Sequence, residues 1–219
     1  MQRFTLHLLL FSALLLAISC NTPPTSQSGD TDGVYPGGEP TQTGGGGGIN
    51  DNPGTSGGQN YTVTTIDTTI KSPRRELKGT VNGVDVTINY GSPAVNQRTI
   101  YGDLVPYGKV WRTGANEATR ITFGQDVKVG EEGTMLSAGT YSLFTLPADR
   151  DNWTIIFNKT ADQWGAYDYD EGADAARVRG TATTVSSAAE RMDFAVDGNN
   201  IELMWDDLMV SFPVMAAAK

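Results

Sequence analysis

The stretch Val84-Asp-Val-Thr-Ile-Asn89 alternates apolar and polar side chains at every position. Because successive side chains of a β-strand point to opposite faces, this alternation gathers the apolar residues on one face and the polar residues on the other. One buried face and one wetter face are typical of an antiparallel sheet, since parallel sheets are usually buried on both faces. The stretch therefore predicts a half-buried strand in an antiparallel β domain.

Runs with the same period recur on both sides of this stretch, through residues 61–219. Turn-forming residues separate the runs, and Asp197-Gly198 between two of them predicts a tight hairpin. We see no convincing helix longer than two turns, although Asp174–Arg179 and Thr160–Gln163 could each form a single turn. The alternating apolar positions are Ile121 and Phe123; Val127 and Val129; Tyr141 and Leu143; Trp153, Ile155 and Phe157; Phe194 and Val196; Ile201, Leu203 and Trp205; Val210 and Phe212.

These runs predict an all-β fold of about ten short strands. We expect an antiparallel two-sheet sandwich of the jelly-roll or immunoglobulin-like kind, with a partly open barrel as the alternative.

The first twenty residues, MQRFTLHLLLFSALLLAISC, place a positive charge before an apolar run. The run Leu8–Ile18 suits the core of a signal peptide and is shorter than the ~20 apolar residues that cross a bilayer as a helix. Ala17, Ser19 and Cys20 resemble the bacterial lipoprotein box, in which the cysteine is lipidated and the chain is cleaved before it. The sequence therefore predicts a lipoprotein signal peptide over residues 1–19 and a membrane anchor at Cys20. The alternative is an ordinary secretory signal with an incidental cysteine.

A segment rich in glycine and proline follows. Residues 21–60 hold 12 of the chain's 26 glycines and 5 of its 10 prolines. Such a composition buries too little apolar surface to offset the entropy of ordering, so we predict a disordered tether over residues 20–60, with a span of roughly 35 Å. No acidic cluster follows Cys20, a feature that in some bacteria marks lipoproteins of the outer cell face. We therefore expect a cell-envelope location, in the outer membrane facing the periplasm.

The overall composition excludes several classes of function. The chain has 16 Lys+Arg and 25 Asp+Glu, a formal net charge of -9, which argues against nucleic-acid binding because that depends on neutralising phosphates. His7 and Cys20 are the only histidine and the only cysteine. The folded domain therefore lacks the residues for Ser-His-Asp or Cys-His catalysis, for zinc sites of His or Cys, and for disulfides. We predict no catalytic residue, no metal site and no cofactor.

An acidic cluster stands apart from the alternating runs, at Asp168, Asp170, Glu171 and Asp174. Calcium requires six to eight oxygen ligands, and Arg179 occupies the position where an EF-hand loop carries its glutamate. We interpret the cluster as a solvated acidic loop, with a looser calcium site as the alternative.

The alternation breaks down over residues 90–119, YGSPAVNQRTIYGDLVPYGKVWRTGANEAT, where Gly, Pro, Arg, Trp and Asn crowd together. This stretch, above all Trp111–Thr119, resembles the bacterial domain of unknown function 2911, which is found largely in secreted proteins and lipoproteins. The resemblance covers about residues 70–214; it implies a cell-envelope location and implies no activity. Further matching stretches are Ser72–Arg74, Ala138–Pro147, Trp153–Lys159 and Gln163–Asp170.

A first group of candidate site residues lies in this segment: Arg98, Trp111, Arg112, Asn116 and Glu117. Arginine binds carboxylate or phosphate through two parallel hydrogen bonds, tryptophan stacks on sugar or aromatic rings, and asparagine both donates and accepts. The same residues also suit a structural network, in which Arg112 pairs with Glu117, Asn116 caps a turn and Trp111 lies in the core. We favour the structural interpretation and keep the binding site as the alternative.

A second group of candidates, Gln163, Trp164, Tyr167 and Tyr169, combines aromatic and polar side chains. Tyrosine and tryptophan on a loop are typical of carbohydrate or peptide recognition. They are equally typical of a loop packed over the edge of a sandwich, which we favour.

Two functions of different classes fit this sequence. The first is a lipid-anchored, non-enzymatic domain that binds a small ligand, a glycan or an envelope partner, which needs no group that titrates near neutral pH. The alternative is a carboxylate-dependent hydrolase acting on glycans, with Glu117 and either Asp103 or Asp168 as its carboxylate pair. We favour the first because the domain lacks histidine and cysteine.

Overall fold

A computed structural model describes residues 60–218 of the chain. These residues form an all-β domain with a single short 3-10 helix, Glu171–Ala173. Within them no helix is long and apolar enough to cross a membrane. The predicted signal peptide, Cys20 and nearly all of the predicted tether lie outside the described residues.

Ten strands, numbered in chain order, make up the domain, as the alternating runs predict. Their bounds are β1 Tyr61–Asp67, β2 Arg74–Val81, β3 Val84–Gly91, β4 Thr119–Phe123, β5 Val127–Val129, β6 Thr134–Leu136, β7 Gly139–Pro147, β8 Asn152–Asn158, β9 Asp174–Asp197 and β10 Asn200–Ala216.

The strands are hydrogen-bonded into a single antiparallel sheet in the order β1-β2-β3-β4-β7-β8-β9-β10-β5-β6. Its first and last strands, β1 and β6, pair with only one neighbour each, so the sheet is not a closed barrel. β3 and β9 are separated by three strands in this order, yet Tyr90 on β3 and Phe194 on β9 lie with ring centroids 4.9 Å apart. The sheet therefore bends over on itself and buries a sandwich-like core between its halves.

The quoted stretch behaves as its period requires. Val84, Val86, Ile88 and Tyr90 are buried along one face of β3, which is hydrogen-bonded to β2 and β4. A two-residue turn at Asn82-Gly83 joins β2 to β3, with positive φ angles of 48° and 74° that suit the right-handed twist of a hairpin.

The hairpin predicted at Asp197-Gly198 is confirmed, since Asn200 pairs with Asp197 where β9 turns into β10. These two strands are 24 and 17 residues long, so the expectation of uniformly short strands is wrong for them. Asp174–Arg179 is not a helical turn but the start of β9, because pairing with β8 gives its backbone groups partners in an antiparallel ladder. Thr160–Gln163 is also not helical.

The segment that breaks the alternation connects β3 to β4 and crosses the molecule between them. Isolated bridges hold it in place: Ala94 pairs with Arg191 of β9, Trp111 with Thr145 of β7, and Glu117 with Trp164. The last of these bridges brings the two predicted groups of site residues together.

Candidate functional site

Two loops meet on one side of the domain and contribute the candidate side chains. The first runs from Arg112 to Ala118, and the second connects β8 to β9. The backbone N–H of Ala118 donates to the carbonyl of Gln163 at 3.1 Å, next to the bridge between Glu117 and Trp164. We refer to Arg112, Gln163, Trp164 and Tyr167 together as the aromatic–arginine surface.

The first loop is closed on itself by short-range hydrogen bonds. The N–H of Thr119 donates to the carbonyl of Arg112 at 3.2 Å, and its hydroxyl donates to the carbonyl of Thr113 at 2.7 Å. Gly91 allows the loop to sit flat on β3, since a Cβ at this position would lie 2.2 Å from the carbonyl oxygen of Ala115. The backbone of the loop is therefore held in place before any ligand arrives.

Tyr169 anchors the second loop. Its hydroxyl donates to Asp174 Oδ2 at 2.7 Å, and its ring packs edge-on against Phe144 with centroids 5.0 Å apart. Burial, reinforced by the neighbouring carboxylate, raises the pKa of Tyr169. Tyr169 therefore supports the loop from beneath, as the structural interpretation expects, and does not belong to its outer surface.

Trp164 and Tyr167 face outward, with 60% and 84% of their surface exposed. The ring of Tyr167 lies over Gly165, whose φ of +67° is left-handed and where a Cβ would come within 3.1 Å of that ring. The same position is 4.0 Å from Cδ of Arg112, so the tyrosine ring and the arginine stem flank one glycine. The three other tryptophans of the chain, Trp111, Trp153 and Trp205, are buried.

Arg112 is half-buried near the ring of Tyr167 and has no ionic partner in the part of the chain that the structure describes. No Asp or Glu in residues 60–218 lies within salt-bridge distance of it, and its Nε is covered by protein without a hydrogen-bond acceptor. Burial lowers the pKa of Arg112, and the nearby Tyr167 hydroxyl opposes that change. Oε1 of Gln163 is likewise covered and unpartnered, although its amide donates to the carbonyl of Thr160 at 2.7 Å.

The expected ion pair between Arg112 and Glu117 is absent. Glu117 Oε2 instead accepts from Nη1 of Arg74 on β2 at 2.7 Å. Asn116 lies between the two predicted partners with a left-handed φ of 63°, and its amide donates to the carbonyl of Ser72 just before β2. The chain therefore turns Glu117 toward β2 and away from Arg112.

Two candidates of the first group lie away from the aromatic–arginine surface. Trp111 is 8% exposed and stacks on Trp205 at 5.8 Å, so it belongs to the core, as the structural interpretation expects. Arg98 donates to the backbone carbonyls of Val95 and Ala94 and closes its own turn.

Sequence reasoning missed the ionic partners that the fold supplies. Arg74 is 43 positions from Glu117, and Arg75 is 118 positions from Asp193, with which it pairs on β9. Asp193 also accepts a hydrogen bond from the hydroxyl of Tyr90. Burial raises the pKa of Asp193, and the bond from Tyr90 and the charge of Arg75 oppose that shift. No local pattern could have revealed these pairs, since the residues meet only when the sheet bends over.

Two acids of the acidic cluster, Asp170 and Asp174, already have hydrogen-bond or ionic partners within the domain. Asp174 accepts from Asn158 at 2.8 Å and pairs with Arg177 at 3.0 Å, while Asp170 accepts from the N–H of Gly172 at 2.9 Å. In the part of the chain that the structure describes, no three His, Cys, Asp or Glu side chains are grouped closely enough to hold a metal ion. A shallow groove of about 290 Å³ along β8 and β9 shares no residue with the aromatic–arginine surface.

A family model described as a protein of unknown function, DUF2911, matches residues 72–214. The chain belongs to the DUF2911 family. The match confirms the resemblance drawn from the sequence, and it spans both loops of the aromatic–arginine surface. For this DUF2911 chain, no curated protein and no solved structure matches.

Proposed function

We propose that this DUF2911 protein is a cell-envelope lipoprotein, anchored through Cys20, whose β domain binds a ligand without transforming it. The aromatic–arginine surface is the binding site. The tether of residues 20–60 holds the domain away from the membrane. We propose that this is the outer membrane and that the domain faces the periplasm.

The observation that carries the proposal is Arg112, a half-buried cation that flanks Gly165 together with the exposed ring of Tyr167 and has no ionic partner within residues 60–218. Partial burial of an unpaired charge disfavours the folded state, so such a residue is rarely retained for stability alone. Exposed Trp164 and Tyr167 likewise contribute little to the core, whereas aromatic side chains are enriched in binding sites.

The rigidity of both loops supports the same proposal. The first loop is closed by the hydrogen bonds of Thr119, and the second is anchored by Tyr169. A binding surface on prearranged loops loses less conformational entropy when the ligand binds.

Binding is tested with the full chain by screening glycans and metabolites for protection of Trp164 from acrylamide quenching. Trp164 is the single exposed tryptophan of four, so most of the quenching reports on the proposed site. We expect a ligand to protect the wild type and to bind at least about tenfold more weakly to Tyr167→Ala. Leu104→Ala changes an exposed apolar residue on another loop and serves as the control. A ligand that binds both variants equally would place the site elsewhere.

The anchor is tested separately, with Cys20→Ala. We expect this variant to lose palmitate labelling and to leave the membrane fraction, because no other residue of the chain supplies the acylated thiol. A Cys20→Ala protein that still labels and still sediments with membranes contradicts the lipoprotein proposal.

The hydrolase alternative gains no specific observation. Glu117 is engaged in an ion pair with Arg74 at 2.7 Å. Asp103 and Asp168, its predicted partners, are both exposed.

We further infer that the bent sheet is a true two-sheet sandwich, with β2 and β3 in one layer and β9 in the other. The contact of Tyr90 with Phe194 and the pairing of Arg75 with Asp193 support this arrangement.

A further inference from the structure

We propose that the ligand of the aromatic–arginine surface is an acidic saccharide, a sugar ring with one carboxylate. In this arrangement Arg112 binds the carboxylate, and Trp164 and Tyr167 contact the sugar ring. This inference rests on the proposed function and specifies its ligand class.

The positive charge of Arg112 favours an anionic ligand. The acid nearest to Arg112 in the chain, Glu117, is already paired with Arg74, so the charge of Arg112 stays uncompensated within the domain. Its terminal nitrogens are not among the covered atoms and make no hydrogen bond within residues 60–218, so they are free to meet a ligand. A carboxylate matches the planar fork of a guanidinium and binds it through two parallel hydrogen bonds.

The aromatic surface around that cation favours a sugar ring. Trp164 and Tyr167 expose broad aromatic faces, and such rings suit the apolar C–H face of a sugar. Arg112 Nε and Gln163 Oε1 add a donor and an acceptor that the protein leaves unsatisfied. A ligand with both an acid group and hydroxyl groups satisfies this complementary pair once the two side chains turn outward.

The negative charge of the domain limits the number of acid groups that the ligand can carry. Residues 61–219 carry 15 basic and 21 acidic side chains, a net charge of -6. Asp168 and Asp170 follow Tyr167 directly on the same loop and are exposed. A polyanion would be repelled by this domain, whereas a single carboxylate is attracted by Arg112 at short range. The charge distribution also disfavours an acidic peptide with several carboxylates.

The test measures protection of Trp164 from acrylamide in the full chain by a matched pair of sugars. Cellobiouronic acid carries one carboxylate, and cellobiose is its neutral counterpart. We expect the acid to bind at least about tenfold more tightly than cellobiose, because a hydrogen bond to a charged group contributes this much or more. Inorganic phosphate and a tetraglutamate peptide, as probes of a plain anion and an acidic peptide, should bind at least about tenfold more weakly than cellobiouronic acid.

Three arginine variants assign the difference to one side chain. Arg112→Gln should remove the preference for the acid over cellobiose, while Arg179→Gln should leave it unchanged, since Arg179 is an exposed arginine on β9. Arg112→Lys retains the charge but loses the two-pronged contact, so we expect an intermediate preference. This variant keeps the test decisive if Arg112→Gln folds poorly.

Each remaining outcome overturns the inference. Equal binding of the acid and cellobiose, or a preference that survives in Arg112→Gln, shows that Arg112 does not read a carboxylate. Tighter binding of tetraglutamate or phosphate identifies another ligand class, and failure of both sugars to bind removes the saccharide. In all these cases the proposed function still stands if the screen yields a ligand whose affinity depends on Tyr167; it falls only if no ligand does.

Discussion

Two arginines of this domain lie in opposite electrostatic situations. Arg75 on β2 is 15% exposed at its side chain and pairs with Asp193, which also accepts from Tyr90. Arg112 is half-buried near Tyr167, and no acid of residues 60–218 lies within salt-bridge distance of it. In both arginines Nε is buried without a hydrogen-bond acceptor, so the two differ in whether a carboxylate compensates the charge of the guanidinium. A compensated cation joins the two halves of the sheet, and an uncompensated one is available to a ligand.

The largest effect is expected where the charge is compensated. Asp193→Ala leaves the Arg75 guanidinium without its counterion and the Tyr90 hydroxyl without its acceptor. Loss of one partner from a buried pair typically costs ~3–5 kcal/mol of unfolding free energy, which urea unfolding measures. Asp193→Asn is the control, because it keeps an acceptor and should cost less. If Asp193→Ala costs under about 1 kcal/mol, the Arg75 pair is no more structural than a surface pair.

The unfolding free energy measured over a series of pH values tests the contribution of the buried tyrosines, including Tyr90, which hydrogen-bonds to Asp193. Burial raises the pKa values of Tyr90 and Tyr101 well above the ordinary value of 10.0. Their contribution to stability is therefore complete below about pH 10, and it is lost at higher pH, where tyrosines of the unfolded chain release protons that the folded chain retains. Each tyrosine whose pKa is raised in this way should cost about 1.4 kcal/mol of unfolding free energy per pH unit above that point. In Tyr90→Phe the slope should fall by about 1.4 kcal/mol per pH unit, the share of one tyrosine; an unchanged slope would show that Tyr90 does not contribute.

The loop that carries Arg112 packs against β3 at Gly91. A Cβ at Gly91 would lie 2.2 Å from the carbonyl oxygen of Ala115, so Gly91→Ala must displace the loop. Overpacking of this kind costs about 1–3 kcal/mol of unfolding free energy. Gly83→Ala separates backbone strain from a clash, because its Cβ would meet no atom within 4 Å while its left-handed φ of +74° strains an alanine. A Gly91→Ala protein as stable as the wild type would mean that the loop is not held against β3.

The smallest effect is expected at the ion pair that borders the aromatic–arginine surface. Arg74, like Arg75, is mostly buried, with 13% of its side chain exposed, but Glu117 is 39% exposed, so water screens this pair from the side of the carboxylate. Glu117→Ala should lower the unfolding free energy by about 1 kcal/mol or less, as for other exposed pairs. Thermal unfolding of Glu117→Ala, Arg74→Ala and the double variant measures the coupling. A coupling of several kcal/mol would show that this pair stabilises the fold, as the pair of Arg75 with Asp193 is expected to do.

The strand content of the domain was predictable because most strands bury one face. β3 and β4 show their alternation in the sequence and in the burial of Ile88 and Ile121. The lengths of β9 and β10 were not predictable, since residues 183–188 at the centre of β9 are largely exposed and carry no apolar alternation. Asp174–Arg179 has a composition that allows a helix, and pairing with β8 decides otherwise.

The candidate site was predictable only in its residue types. Arg112 and Trp164 stood out because aromatic and cationic residues on irregular segments are typical of binding sites. Their meeting depends on the bridge between Glu117 and Trp164, which spans 47 positions of the chain and leaves no local pattern. The wrong pairing of Arg112 with Glu117 came from treating closeness in sequence as closeness in space. The positive φ of Asn116 reverses the chain between them.

If Arg112 is retained for binding and not for stability, as we propose, urea unfolding of Arg112→Ala should reveal little loss of stability. The substitution removes a half-buried cation that has no counterion, so no partner charge is left behind. We predict that the free energy of unfolding changes by less than about 1 kcal/mol, or rises, as it does when a functional compromise is relieved. A loss of about 3 kcal/mol or more would contradict the account, because it would mean that Arg112, like Arg75, holds the fold together.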